Sequence, residues 1–357
     1  MRSLDAALIE REKSAYFRRR SWRCASIIAL VILLVVTALA SLTVGAARIS
    51  AVMAARTVFG LGLPVEAEET LRQVLFSIRL PRALAAICAG MSLSCAGLVM
   101  QGVFQNPLVS PYTLGVSNGA AFGASLAIIF RARFLSAPPL IGDYLLPASA
   151  FVFSLLTMFL VYAIARVRAE SGRTLLLAGV AIGYLFSALV AAIRYFSNMR
   201  ELPELVFWTM GGLSAVPKSG VLIIALINVL SISVMLLKAW DINALAAGPD
   251  QAVSLGVNYE RLRVTLFILS TLMTAAAVSF TGVIGFVGLI APHITRFIAG
   301  SDYRWAIPAA ALTGALLLLA SDTIARTLIA PSELPVGILT SFIGVPFFLY
   351  LILRRKH

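Results

Sequence analysis

Apolar runs of about 18 or more residues recur along the whole of this chain, and no other feature constrains its fold as tightly. Lipid offers a backbone N–H or C=O no water to bond, so a segment that crosses it must be a helix or part of a closed barrel. The runs lack the strict apolar–polar alternation of barrel strands, so the expected fold is all-α, a polytopic membrane protein. Composition agrees: 60% of residues are hydrophobic, mean hydropathy is +0.94 and 13% are charged, against about 25% charged in a soluble domain.

The runs predict ten spans, at roughly 24–45, 83–104, 114–130, 144–165, 174–193, 219–237, 264–282, 284–298, 305–324 and 336–353. The eighth is short and glycine-rich, which suggests a broken helix or a bend shared with the seventh. Residues 1–23 read as a basic cytoplasmic leader, 24–353 as one transmembrane domain with a coupling loop near 239–260, and 354–357 as a cytoplasmic tail. The leader carries both signs of charge, and the run after it is long enough to span, so it does not read as a cleaved signal. With the N-terminus inside, 18 of the 29 Lys and Arg residues fall on the cytoplasmic side. That bias favours both termini inside.

Several classes are disfavoured. The net charge of +13 is scattered between apolar runs, so no basic domain awaits a nucleic acid. The middle third of each span holds no Asp, Glu, Lys or Arg, whereas proton-driven carriers place ionisable groups at mid-membrane. His293 and His357 are the only histidines, too few for a histidine-based metal site, and no catalytic cluster is visible. Cys88 and Cys95 lie about 10.5 Å apart along a helix, beyond disulfide reach. "GLSAVPKS" at 212–219 approaches a phosphate-binding loop, but Pro217 replaces the second glycine and removes an N–H. No cofactor is expected on this chain; if nucleotide drives it, another subunit binds the ATP and Mg.

Three constellations remain. "NPLVSPYTLGVSNGAAFGAS", 106–125, is a polar corner between the second and third spans. Pro107 and Pro111 stop the helix, and Gln101, Gln105, Asn106 and Ser110 are placed to satisfy freed backbone groups. Gly115, Gly119 and Gly123 recur every four residues, a small-residue face for close helix packing. Gln101, Asn106 and Pro107 either line a pathway or merely shape the corner. The second constellation is "DINALAAGPDQAVSLGVN", 241–258. Asp241 reads as an N-cap, Gly248 followed by Pro249 as a stop, and Gly256 as the end of a second short helix from about Pro249 or Asp250. Leu245, Ala246, Ala247, Val253 and Leu255 make the knob mildly apolar, which favours a docking surface for a cytoplasmic partner over a solvated loop. The third is the set of outer cations: Arg79 and Arg82 at the mouth of the second span, and Arg326 with Asp322 four residues earlier. They either snorkel to headgroups or form an outward rim that receives an acidic partner.

At these residues the chain resembles the FecCD family, permease subunits of importers for iron chelates, haem and vitamin B12. The matching stretches are "RLPRALAAICAG" (79–90), "MQGVFQNPLVSPYTLGVSNGAAFG" (100–123), "LLLAGVAIG" (175–183), "FWTMGGL" (207–213), "GVIGFVGLIAPHITR" (282–296) and "SDTIARTLIAPSELPVGILTSFIGVPFF" (321–348). The resemblance covers about residues 25–353. It implies a dimer of permeases, homodimer or heterodimer, in the cell inner membrane, with two copies of a separate ABC ATPase and an external substrate-binding protein. Family docking arginines fall on Arg79, Arg82 and Arg326, and the coupling helices on Asp241 to Asn258. The cytoplasmic gate falls on Ser171, Gly172, Arg173 and Thr174, where the match is loose: Gly172 and Arg173 stand near a small hydroxylated pair of vitamin B12 permeases. The cargo it implies is a ferric siderophore or related chelate, with haem and corrinoid as alternatives.

Overall fold

Every described element of the structure, a computed structural model, is helical. It describes residues 2–45, 50, 53, 56, 65–134, 139–167, 172–330 and 332–354. The elements are α1 (Arg2–Thr43), α2 (Val65–Gln73), a π-helical turn (Val74–Arg79), α3 (Leu80–Val103), α4 (Val116–Phe134), α5 (Pro139–Val167), α6 (Gly172–Phe196), α7 (Glu201–Met210) and α8 (Lys218–Leu237). They continue with α9 (Ala239–Ala247), α10 (Pro249–Ser254), α11 (Tyr259–Thr281), α12 (Val287–Ala299), α13 (Tyr303–Leu328) and α14 (Val336–Arg354). Among the described residues, seven helices are long and apolar enough to cross a membrane, and α4, α12 and α14 contain shorter apolar stretches.

α3 is the hub, packing along α13, α11, α12 and α8. Its sequence is rich in Ala, Gly and Ser, and that is why neighbours come so close. A Cβ built on Gly90 would lie 2.3 Å from the Gly314 carbonyl oxygen of α13, and one on Gly97 would lie 1.9 Å from that of Gly288 in α12. Without a hydrophobic drive between helices in lipid, such close backbone packing supplies the association. A second group, α4 with α5 and α6, joins the hub through α11. Between α3 and α8, the Ser92 hydroxyl donates to Asn228 Oδ1 at 2.6 Å, and Asn228 Nδ2 donates to the Cys88 carbonyl at 2.8 Å.

Three sequence expectations need correction. The second span does not begin near residue 83: the helix runs on from Val65 through the π turn, so Arg79 and Arg82 lie within it. The wider turn lies just ahead of Pro81, which has no N–H to give to an ordinary α ladder. Residues 201–210, which lie between the predicted fifth and sixth spans, form α7. Asn198 Oδ1 accepts from the Arg200 and Glu201 amides, and Glu201 Oε2 accepts from the Asn198 amide. That reciprocal cap starts a helix the hydropathy does not announce. Asp241 is not an N-cap: α9 begins two residues earlier, and the carboxylate instead meets Lys238 at 3.1 Å.

Candidate functional site: a three-way break between cavities

α12 has thirteen residues, about 20 Å of helix, short of a hydrocarbon core near 30 Å. Between it and α11 the chain is unwound at 282–286. It meets two other non-helical segments there, 211–217 after α7 and 332–335 before α14. Glycine makes the junction possible. Gly211 has φ +72° and Gly282 φ +68°, and added Cβ atoms would lie 2.3 Å from the Val283 oxygen and 2.2 Å from the Trp208 oxygen. A Cβ on Gly337 would lie 2.3 Å from the Met210 oxygen. One direct tie closes the junction, Gly212 N–H donating to the Thr281 oxygen at 2.8 Å. Phe286, at φ +66°, is left-handed without being glycine, a conformation that costs on the order of 1–3 kcal/mol. Its ring fills the space above Gly344 of α14, where a Cβ would lie 2.2 Å from Cγ.

Two cavities flank this junction. One, of about 580 Å³, is lined by Tyr112, Thr209, Met210, Val283, Gly285, Ser341 and neighbouring apolar residues of α14, with no Asp, Glu, Lys, Arg or His among them. The other, of about 360 Å³, reaches from Trp208, Gly211 and Gly282 to Arg82 and Glu333. Sequence reasoning missed most of this set. Its signals were the Gly211–Gly212 pair and the glycines at 282 and 285 within runs otherwise fit to span.

The three predicted arginines are brought together, but they are turned inward. Arg79, Arg82 and Arg326 are 6%, 9% and 6% exposed, covered within the fold, where the sequence left open snorkelling to headgroups or an outward rim. The reason is unpaired chemistry nearby. Arg79 Nη1 donates to the Leu42 oxygen at 2.6 Å, and Arg326 Nη2 donates to Ser41 Oγ at 2.9 Å and to the Ser41 oxygen at 3.3 Å. These are last-turn acceptors of α1, which no helical N–H reaches. Asp322, fully buried, accepts from Arg82 Nε at 3.1 Å and Nη2 at 2.9 Å, and lies 3.2 Å from Arg326 Nε. Arg82 Nη1 also reaches Glu333 at 2.7 Å, whose side chain is 47% exposed.

The corner and the knob lie at the other end of α3, about 36 Å of helix away. The buried Gln101 side chain accepts from Arg296 Nη1 at 2.5 Å, and it is the Gln101 backbone carbonyl that accepts from the corner's Asn106 amide, at 3.1 Å. Asn106 Oδ1 accepts from the Leu108 amide at 3.0 Å, and Ser110 and Thr113 bond each other's amides. Pro107 is half-buried beside them. The three glycines do not share one face. Gly119 and Gly123 press on α5, but Gly115, at φ +83°, precedes α4 and abuts Gly179 and Gly183 of α6.

In the knob, Gly248 at φ +137° and Pro249 separate α9 from α10, and Gly256 at φ +78° follows α10. Leu245 is 1% exposed and belongs to the core, and Ala246 is half-buried. Ala247, Asp250 and Gly256 are exposed, with Val253 at 63% and Leu255 at 71%. Phe104 packs on both the core under α9 and the core under the corner. Asp302, ahead of α13, binds Arg304 Nη2 at 2.6 Å and Asn243 Nδ2 of α9 at 3.0 Å; these bonds hold its carboxyl down at about 2. Of the gate residues, Ser171 and the Arg173 side chain lie outside the described residues; Gly172 begins α6, and Thr174 is half-buried in its first turn.

The model of the FecCD transport family matches residues 32–354. The chain belongs to the FecCD transport family. Relatives include the hemin transport system permease protein HmuU of Yersinia pestis, 40% identical over 92% of this chain and 95% of that protein. The cobalamin import system permease protein BtuC of Halobacterium salinarum is 41% identical over 81% of this chain and 75% of its own. A solved structure described as an inward-facing, metal-chelate type ABC transporter superposes with a TM-score of 0.79 at 35% identity, covering 92% of this chain and 98% of that one. Such relatives are permease subunits, with ATP hydrolysis carried by separate ATPase subunits. This FecCD chain is thus a multi-pass membrane permease, and no group of metal-binding side chains occurs among its described residues.

Proposed function

We propose that this chain is the permease of a binding-protein-dependent ABC importer that moves a ferric siderophore or related metal chelate into the cytoplasm by alternating access. The carrying observation is the junction of three unwound segments, packed through glycine and flanked by cavities on both sides. Irregular backbone at membrane depth is tolerated where it is buried or lines a cavity, and a glycine-packed junction lets neighbouring helices rock without dragging side chains. The larger cavity, with hydroxyl, aromatic and apolar walls, suits passage of a bulky chelate better than capture of an ion. Relatives of comparable identity are named for hemin, cobalamin and, at 36%, molybdate, so haem and corrinoid stand as alternative cargo.

In this reading ten segments cross the inner membrane with both termini cytoplasmic, and two permease copies share one pathway. Two ATPase copies, holding ATP and Mg, dock on the exposed face of α9 and α10, at Ala247, Asp250, Val253, Leu255 and Gly256. Asp241, Leu245, Ala246 and Gly248 shape that face from behind. Phe104 passes its displacement to the corner at Asn106 and Pro107. The binding protein docks at the opposite end, at Arg79, Arg82 and Arg326, where Arg79 and Arg326 hold the end of α1 and Glu333 is the exposed carboxylate that an acidic partner displaces from Arg82. Residues 171–174 are proposed as the cytoplasmic gate.

The test is uptake into proteoliposomes holding the permease, its ATPase and its binding protein, with the radiolabelled chelate outside. Uptake that requires ATP inside and binding protein outside supports the reading. Accumulation by the permease alone under an imposed ion gradient, without nucleotide, overturns it in favour of an ion-coupled carrier.

A further inference from the structure

α1 and α12 enclose a third cavity, of about 400 Å³, that shares no lining residue with the other two. It is lined by Arg18, Trp22 and Arg23 of α1 and by Phe297, Ile298, Ala299 and Gly300 at the end of α12. Its level relative to the bilayer is readable from the chain. The apolar stretch of α1 starts at Arg20, so Arg18, Trp22 and Arg23 all lie within about 5 Å of its start along the helix. Trp22 is 68% exposed and Phe297 89%. Large aromatic rings left uncovered at that level belong to the headgroup boundary.

The charge of the cavity is not cancelled by its surroundings. Asp302 is the nearby carboxylate, and it is already engaged. Arg304 gives it Nε at 3.0 and 3.1 Å and Nη2 at 2.6 Å, and Asn243 gives it Nδ2 at 3.0 Å. Arg23 Nη1 stands off at 3.4 Å, the longest of these contacts. Arg304 is itself fixed over the Trp240 ring, 3.8 Å from its centroid, and so does not compete for the cavity. Arg18 makes no ion pair among the described residues. The carbonyl end of α12 is partly negative, and Arg23 lies against it: a Cβ on Gly300 would sit 3.3 Å from Nη2. Two guanidinium groups thus share one cavity with less than one negative charge to meet them.

We propose that this cavity binds the phosphate of an anionic lipid headgroup. Arg18 and Arg23 donate to the phosphate oxygens, and Trp22 and Phe297 flank the first part of the acyl chains. A free phosphate would use the same donors but gain nothing from the apolar rim.

Native mass spectrometry of the full-length chain tests this, after exchange into equal amounts of phosphatidylglycerol and phosphatidylcholine. The parent chain is expected to retain phosphatidylglycerol preferentially. The double variant Arg18→Gln/Arg23→Gln should lose that retention by about tenfold or more, from two cations each acting near a charged surface. Arg200→Gln, an exposed arginine elsewhere, should leave it unchanged. Arg18→Gln alone, which breaks no contact with Asp302, guards against misfolding of the double variant and should still weaken retention severalfold. Equal retention of the two lipids by the parent, or undiminished preference in the Arg18→Gln chain, would overturn the site. Displacement of the bound lipid by excess inorganic phosphate would overturn its assignment to a lipid.

Discussion

Replacing Asp322 by asparagine should destabilise this protein more than any other isosteric change in it. The carboxylate is fully buried and holds two arginines whose side chains are only 10% and 5% exposed. Asparagine keeps the shape and one acceptor but removes the charge, leaving two buried guanidinium groups to face each other. Breaking one buried ion pair costs about 3–5 kcal/mol. Here Arg82 retains Glu333 as a second partner, but that pair is half-exposed and contributes only about 0–1 kcal/mol. Arg326 retains only neutral oxygens of α1 and Thr323. The expected loss is therefore about 3–5 kcal/mol, a fall of roughly 5–10 °C in the unfolding midpoint of the purified permease in detergent. The matched control is Glu333→Gln, which should move the midpoint by no more than about 2 °C. Scanning fluorimetry on the two variants and the parent decides it. If Asp322→Asn melts with the parent, or Glu333→Gln falls just as far, the cluster is not the electrostatic anchor described above.

Helix contact through glycine gives a second contrast. Gly97→Ala drives a methyl into the Gly288 carbonyl, where Cβ would lie at 1.9 Å, and should cost about 1–3 kcal/mol or more. Gly212→Ala, with nothing within 4 Å of its Cβ, should stay within about 0.5 kcal/mol; thermal unfolding of both reads the difference. Asp302 predicts a pH effect. Its carboxyl sits near 2 instead of 3.8 because Arg304, then Asn243, bond its ionised form. The stabilisation is therefore complete above about pH 4 and lost as pH falls toward 2. It amounts to about 1 kcal/mol after allowing for solvent screening, and Asp302→Asn should remove it at neutral pH as measured by denaturant titration. Leu255→Glu, at the tip of the knob and 71% exposed, should leave the melting temperature unchanged. In proteoliposomes with the ATPase it should cut ATP-driven uptake by about tenfold, as loss of an interface anchor does.

Much of the fold is legible in the chain itself because lipid is an unforgiving solvent. A run such as Lys218 to Leu237, with mean hydropathy 2.7, has one stable form at membrane depth, and its position follows from composition alone. The Gly248–Pro249 break is equally local, since only glycine takes that φ without strain and proline cannot continue the preceding helix. Even the ion pair of Asp322 with Arg326 follows from a four-residue spacing on one helix.

What the chain could not disclose is which polar group meets which across hundreds of residues. Arg82 finds Asp322 240 positions away, and Arg326 finds Ser41 285 positions away. From sequence these arginines were as well suited to snorkelling toward headgroups as to forming an outward rim. Only the packing of α1 against α13 shows that its terminal carbonyls lie within reach of Arg326. The same holds for the junction at Gly211, Gly282 and Gly337: each glycine is an ordinary helix-breaker on its own. Three backbones had to meet at one point before their missing Cβ atoms became a site with a cavity on either side. Helix formation is decided by solvent and local backbone chemistry, so it is written in the chain; a shared cavity or a buried pair exists only once distant segments are packed together.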